Sequence, residues 1–196
     1  MLLFRSFRSP RLIERLVKGG IGVIPTDTVY GIVASAKNPG AVSRLTGIRG
    51  RDPKSPYLIL IGSRDDLENF SIRLTPRQEV LLDEVWPGPV SVVLPCRSQK
   101  YAYLNHGAPT LAFRLPRPAA LRAFLNKTGP LIAPSANPVG LPCAKSVLEA
   151  KKYFGHGIDC AVDGGERVGE GAHPGQPAHC DPQPGKPADV RDVLVL

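Results

Sequence analysis

The chain lacks the signatures of several common protein classes. No apolar run approaches the length of a membrane span. The apolar stretch within the first five residues is too short for a signal peptide. Phosphate-binding loops (GxxxxGK[ST]), dinucleotide fingerprints (GxGxxG) and nucleophile elbows (GxSxG) are also absent. We therefore expect a cytoplasmic protein with no membrane contact, whose chemistry depends on none of these three motifs.

Cysteine is scarce, and its spacing predicts neither a disulfide framework nor a metal site. The four cysteines include no CxxC pair. One cluster near the C-terminus contains ligand-type side chains, namely His156, Cys160, His173, His179 and Cys180. Structural zinc sites use paired spacings that this cluster lacks. We therefore predict no metal site in the protein itself.

Composition and charge describe one globular domain with anionic partners. At 196 residues, with 42% hydrophobic and 21% charged residues, the chain is long enough to bury a core of its own. Its net charge of +8 favours partners such as a nucleoside triphosphate or RNA. Only 6% of the residues are aromatic, which argues against base stacking on single-stranded nucleic acid.

Helix and strand patterns alternate along the chain, which predicts an α/β fold with a twisted, mixed sheet flanked by helices. Helices are predicted after the cap Ser9-Pro10, after the capping box at Thr75, and over 118–127 and 146–154. Short apolar runs predict strands at 21–24, 58–61, 90–95, 111–114, 131–133 and 158–162.

The C-terminal part changes composition without predicting a second domain. Residues 171–188 contain five prolines and almost no large apolar side chain, so we expect a mobile loop there. Residues 189–196 are typical of a closing strand. We therefore expect residues 1–196 to form a single domain.

Polar turns follow two of the predicted strands. Residues 25–31 (PTDTVYG) supply two hydroxyls, a carboxylate and a phenol directly after the strand at 21–24. Residues 134–138 (PSANP) follow the strand at 131–133 in the same way. Ligands of open α/β sheets bind beyond the carboxyl ends of strands, so these turns predict a site for a small polar ligand.

Five segments in order resemble the YrdC/TsaC family of L-threonylcarbamoyl-AMP synthases. Residues 25–31 match the opening motif P-T-[DE]-[TS]-V-[YF]-G, and residues 49–57 (RGRDPKSPY) stand in place of K-x-R-P-x-x-K-P-L. Residues 135–137 (SAN) match S-x-N, with the family segments 86–90 (WPGPV) and 110–114 (TLAFR) between. The resemblance covers about residues 9–168, and five ordered matches are far more specific than any single one.

The resemblance implies a YrdC-like sheet around a basic concave cavity, and an enzyme that condenses L-threonine, bicarbonate or CO2, and ATP. The products would be L-threonylcarbamoyladenylate and pyrophosphate. Magnesium is expected on the ATP phosphates. The adenylate would serve tRNA modification through a kinase-like transferase complex.

The same resemblance assigns the site residues. Arg49 and Arg51 match the family pair on the ATP phosphates and the carbamate, which makes them the catalytic residues. The other implied threonine- or carbamate-binding residues are Thr26, Arg114, Ser135 and Asn137, and the other nucleotide-binding residues are Lys54, Thr110 and Cys143. Asp27 and Tyr30 are left with two roles, shaping the turn or contacting the ligand.

Three departures from the family pattern leave alternatives open. Arg49 and Ser55 stand where the family has lysines, and Ala188 begins a segment that loses two hydroxyls. A paralogue resembling YciO, with altered activity, is one alternative. The other is a module that binds double-stranded RNA or rRNA by its shape and phosphates, which the charge of +8 permits.

Overall fold

A computed structural model describes residues 1–50 and 57–167 in full, and the backbone of residues 194–195. Nine strands from these ranges form one mixed sheet in the order β1-β8-β2-β3-β7-β4-β6-β5-β9. The strands are β1 (Leu2–Phe4), β2 (Gly22–Pro25), β3 (Tyr30–Ser35), β4 (Leu58–Leu60), β5 (Val92–Pro95), β6 (Thr110–Arg114), β7 (Leu131–Ile132), β8 (Cys160–Val162) and β9 (Leu194–Val195). β8 runs parallel to both β1 and β2, β4 runs parallel to β6, and the other pairs are antiparallel.

Helices cover both faces of the sheet, which confirms the α/β class. They are α1 (Pro10–Val17), α2 (Pro39–Arg49), α3 (Pro76–Val85), α4 (Ala102–Asn105), α5 (Ala119–Thr128) and α6 (Val147–Phe154). Short 3-10 helices cover Arg64–Phe70, Gln99–Tyr101 and Gly155–Gly157. No helix in the described ranges is both long and apolar enough to cross a membrane.

The strands alternate their side chains between two apolar clusters, one on each face of the sheet. On one face Ile32 and Ile59 pack with buried residues of α2, α4 and α6. On the other face Val33 and Leu60 pack with buried residues of α1 and α5. The sheet is therefore the middle layer of a three-layer sandwich.

Most of the predicted helices and strands are present, and outside the closing strand their ends agree to within two residues. Thr75 begins α3 with the expected capping box, in which Gln78 bonds back to the Thr75 backbone. Ser9 occupies the N-cap position of α1, but its side chain makes no capping hydrogen bond. The predicted closing strand is present as β9, which pairs with β5. The loop predicted at 171–188 lies outside the described residues.

Two elements beside the predicted site differ from what the sequence predicts. The sequence predicts one polar turn over residues 25–31, whereas Tyr30 and Gly31 begin β3, whose six residues are all buried. No helix is predicted directly before Arg49, whereas Arg49 is the last residue of α2 and is itself buried. Gly50 ends this helix in the left-handed conformation that glycine favours, with φ 63°.

Candidate active site

The β2–β3 connection is a tight turn closed by Thr26. The Thr26 amide donates to the Val29 carbonyl at 3.1 Å, and the Thr26 hydroxyl donates to the same oxygen at 2.7 Å. The hydroxyl also accepts from the Thr28 amide at 3.2 Å. Thr26 is buried. Its hydrogen bonds to Val29 and Thr28 fix the turn that carries Asp27.

The second polar turn lies beside the first because β3 continues its pairing past the end of β7. Ile32 donates its amide to the Pro134 carbonyl at 2.9 Å, and Ala136 donates to the Tyr30 carbonyl at 2.8 Å. Gly31 and Ser135 form an isolated antiparallel bridge between these two bonds. The two turns predicted from the sequence therefore meet at one edge of the sheet.

Gly31 leaves the room for this meeting. A Cβ atom at position 31 would lie 3.2 Å from Thr26 Cγ2 and 3.5 Å from the Pro134 carbonyl oxygen. The first of these distances is tighter than ordinary van der Waals contact. Glycine at position 31 therefore relieves crowding against the Thr26 methyl group, at a place where the turn after β7 also comes close.

Arg49 connects α2 to the turn after β7. Its Nε donates to the Asn137 carbonyl at 3.0 Å, and its Nη2 lies 3.5 Å from the Ser135 hydroxyl. Only 3% of Arg49 is exposed, which is rare for an arginine outside a site that pairs its charge. The structure therefore brings Arg49, Ser135 and Asn137 together, as the resemblance implies.

The Asn137 side chain has one satisfied and one unsatisfied end. Its Nδ2 donates to the carbonyls of Pro138, at 3.1 Å, and Leu141, at 2.7 Å. Its Oδ1 is buried and has no hydrogen-bond partner. Leaving a buried acceptor unpaired costs free energy, so this oxygen is suited to accept a hydrogen bond from a ligand.

Arg114, at the end of β6, is held by two residues. Its Nε and Nη2 donate to the Ser91 hydroxyl at 3.1 Å and 2.8 Å. Its Nη1 contacts Asp27 Oδ1 at 3.4 Å, a longer and weaker contact. Arg114 is thus tied to the β2–β3 turn, and through it to the same edge of the sheet as Thr26.

The remaining predicted residues lie farther apart or outside the described ranges. Thr110 begins β6 and lies on the same sheet face as Arg114, four residues or about 13 Å away. Cys143 is half-buried in the segment after Asn137. Arg51 and Lys54 fall outside the described residues.

The Tyr30 phenol has a role in shaping the chain. Its hydroxyl donates to the Gly165 carbonyl at 2.7 Å and accepts from the Gly164 amide at 2.9 Å. Burial raises the pKa of Tyr30 above its ordinary value of 10.0, although the Gly164 amide acts in the opposite direction. Tyr30 therefore anchors the segment that follows β8 against the first turn.

Ser91 is the contact that the sequence did not reveal. It follows the family-like segment 86–90, but no spacing or residue pattern separates it from other serines. Only the fold shows that its buried hydroxyl supports Arg114. Among the described residues, no group of three or more His, Cys, Asp and Glu side chains could hold a metal ion.

The chain is similar to known proteins of one family. A family model named Sua5_yciO_yrdC, with the description "Telomere recombination", matches residues 14–173. A threonylcarbamoyl-AMP synthase of Halorhodospira halophila is 32% identical over 163 residues, which is 82% of this chain and 84% of that protein. A second, from Pyrococcus abyssi, is 35% identical over 78% of this chain.

The length of the match differs between relatives. The match with this chain spans only 45% of the length of the P. abyssi synthase. The crystal structure of P. abyssi Sua5 complexed with L-threonine superimposes with a TM-score of 0.77 at 29% identity. That superposition covers 85% of this chain and 51% of that one.

Proposed function

Because this chain belongs to the Sua5/YciO/YrdC family, we propose that it is a threonylcarbamoyl-AMP synthase. Its substrates would be L-threonine, bicarbonate or CO2, and ATP, and its products L-threonylcarbamoyladenylate and pyrophosphate. The names of the relatives favour this enzyme over an RNA-binding module or an altered paralogue. We further propose that residues 1–196 form one domain.

The reaction needs positioning and positive charge more than a protein nucleophile. The threonine amine adds to CO2 and loses protons, which gives a carbamate. A carbamate oxygen then attacks the α-phosphorus of ATP, and pyrophosphate leaves with the electrons of the broken P–O bond. Negative charge gathers on the carbamate and the phosphates, so preorganised cations and hydrogen-bond donors lower the barrier.

The cluster of Arg49, Ser135 and Asn137 carries this proposal. It places a buried guanidinium, a hydroxyl and an unpaired amide oxygen where α2 meets the turn after β7. We assign Arg49 to the carbamate and phosphates, and Ser135 and Asn137 to the cavity lining. Buried guanidinium groups are suited to oxyanions because they bind two oxygens at once.

The other assignments follow the family resemblance. We propose that Thr26 and Arg114 bind threonine, with Arg114 on its carboxylate. The side-chain proton of Thr26 is used within the turn, so Thr26 would contribute its methyl group and the turn geometry. Arg51 would join Arg49 in catalysis, while Lys54, Thr110 and Cys143 would contact the nucleotide.

Magnesium is proposed to arrive on the ATP phosphates. Mg²⁺ is commonly held by substrate phosphates, water and one or two carboxylates rather than by an all-protein cage. A tRNA-modification transferase complex is the proposed recipient of the product. Direct RNA binding and the cytoplasmic location stay predictions from the sequence.

Pyrophosphate release tests the proposed function. The purified chain is assayed with ATP, Mg²⁺ and bicarbonate, with and without L-threonine. We expect release that requires both threonine and bicarbonate, and that falls at least tenfold in Arg49→Ala, Arg51→Ala and Asn137→Ala. Arg64→Ala is the matched control, because Arg64 pairs with Asp83 on the surface. Release that ignores threonine would contradict the proposal.

A further inference from the structure

The outer edge of β1 has backbone groups that are available for pairing. β1 is the end strand of the sheet, and β8 is its one neighbour among the described strands. The Leu2 amide donates to the Asp159 carbonyl at 2.8 Å. The Phe4 carbonyl accepts from the Asp163 amide at 2.7 Å, so Leu2 and Phe4 both turn their backbone toward β8. Because these groups alternate between the two edges of a strand, the N–H and C=O of Leu3 point to the open edge.

This edge lacks the features that usually prevent the addition of another strand. Edge strands in natural proteins are protected by charged side chains, proline or bulges. Residues 1–4 contain no charged side chain and no proline, and Met1, Leu2 and Leu3 are 46%, 43% and 57% exposed. Adjacent exposed apolar side chains of this kind are typical of a binding surface. β1 also precedes residues 14–173, so the match to the family model does not account for it.

A basic groove of about 520 Å³ opens beside β1, on the face of the sheet that α1 covers. Leu2 is the residue of β1 that lines it. The opposite wall is one stripe of α1, spaced three and four residues apart, that consists of Arg11, Glu14, Arg15 and Lys18. The open edge and the groove are therefore next to each other.

The charges of the groove favour an acidic partner. Each of its two acidic side chains forms an ion pair with one of its cations. The other two cations, Arg11 and Arg15, form no ion pair with a described residue, so the groove carries surplus positive charge. A second copy of this chain, paired through its own β1 about a two-fold axis, would bring the same arginines to the same face and repel. A segment with carboxylates would pair with them.

We propose that the edge of β1 binds an extended segment of a partner protein in which acidic and apolar residues alternate. The main chain of this segment pairs with Leu3, as in strand addition to an exposed sheet edge. Side chains of an added strand alternate between the two faces of the sheet. The acidic ones lie on the α1 face beside Arg11 and Arg15, and the apolar ones cover Leu3 on the other face. None of these residues is assigned to the proposed synthase reaction, so the two proposals stand or fall separately.

The test is fluorescence polarisation with a labelled, end-capped heptapeptide of alternating glutamate and valine. We expect saturable binding that weakens as salt is added, because the arginines are exposed. A peptide of the same composition, with all glutamates before all valines, should bind roughly fivefold more weakly, since it cannot present one kind of side chain to each face. A peptide with lysine in place of glutamate should not bind.

Two variants test the edge and the groove separately. Leu3→Pro removes the N–H that points to the open edge and leaves the bonds to β8 in place. Arg11→Glu/Arg15→Glu reverses the surplus charge. Each should weaken the alternating peptide roughly tenfold or more. The matched control is Arg97→Glu/Lys100→Glu, which makes the same change of charge at exposed positions after β5, near the other end of the sheet, and should stay within about twofold.

Circular dichroism and thermal unfolding show whether each variant is folded, and the charge reversal decides the outcome if Leu3→Pro is not. Unchanged peptide affinity in the charge reversal would overturn the inference. A short RNA duplex that binds more tightly than the peptide, and that ignores Leu3→Pro, would assign the basic stripe to nucleic acid instead. A dimer in sedimentation that Leu3→Pro abolishes would assign the edge to a second copy, which also overturns the inference.

Discussion

Arg49 Nε donates a 3.0 Å hydrogen bond to the main-chain oxygen of Asn137, although 88 residues separate the two along the chain. This bond joins the last residue of α2 to the turn after β7. Because Arg49 is buried, its charge is held at the meeting point of the two polar turns rather than in solvent. The position of the helix end therefore controls the shape of the candidate site.

Replacing Arg49 by lysine should separate the effect of its positive charge from the effect of its hydrogen bond to Asn137. Lysine keeps the positive charge but lacks the Nε donor that reaches Asn137, so the free energy of unfolding should fall by about 1 kcal/mol. Urea unfolding of Arg49→Lys and Arg49→Ala measures this loss, and pyrophosphate release measures function. Lysine should retain part of the activity and alanine almost none. Equal activity of the two variants would show that charge at this position is not needed.

Adding one methyl group at Gly31 should damage the site. The new Cβ would meet the Thr26 side chain at 3.2 Å, and overpacking of this kind costs about 1–3 kcal/mol. We expect Gly31→Ala to lower the melting temperature and raise the KM for threonine. Gly47→Ala is the control, since no atom lies within 4 Å of its added Cβ. Because position 47 is exposed within α2, this substitution should be stabilising by about 0.5–1 kcal/mol. Identical behaviour of both variants would argue against the close approach at Gly31.

Helix capping offers a paired test of local stability. The Asn38 side chain accepts from the Ala41 amide at 3.0 Å and caps α2, whereas Ser9 at the start of α1 makes no such bond. Asn38→Ala should therefore cost about 1 kcal/mol, and Ser9→Ala only a few tenths. Chemical unfolding of both variants gives the comparison. A larger cost at Ser9 would contradict the assignment of the caps.

Tyr30→Phe should change how stability depends on alkaline pH. Burial raises the pKa of Tyr30 in the folded chain above its ordinary value of 10.0, so the neutral phenol stabilises the fold fully below that pH. This contribution is lost as pH rises through the folded-state pKa. Near pH 7 the variant should be less stable by about 1 kcal/mol, because two hydrogen bonds to the segment after β8 are missing.

The stability gap between this variant and the unchanged chain should then narrow above about pH 10. Thermal unfolding of both proteins from pH 7 to pH 11 measures the gap directly. Lysines and the other tyrosines titrate equally in both chains, so they cancel in the difference. A gap that widens at high pH would contradict a raised pKa.

Sequence patterns predicted the interleaved elements and the two polar turns because these depend on local features. Capping residues, apolar runs and the order of short motifs are visible within a few residues of one another. β3 was missed because its first residues belong to the polar motif and because it is buried on both faces, without polar alternation. α2 was missed because Gly40 and Gly47 lie inside it, although Asn38-Pro39 and Gly50 are recognisable start and stop residues.

The contacts that shape the site cannot be predicted from local sequence patterns. The bonds from Arg49 to Asn137 and from Arg114 to Ser91 join residues that are far apart in sequence. No local pattern predicts such a pairing. The family resemblance assigns a role to Arg114 but none to Ser91. The sequence leaves two roles open for Asp27 for the same reason, because its contact, Arg114, lies on β6 and not in its own turn.

The position of β8 between β1 and β2 has a consequence for synthesis on the ribosome. Leu2 and Gly22 emerge early, yet both align with Cys160, which is made some 140 to 160 residues later. Until then β1 has no neighbour in the sheet, and β2 is paired only through the β2–β3 hairpin. The nascent chain must therefore hold an open strand edge until Cys160 has been made, and chaperone protection at that edge would matter most before that point.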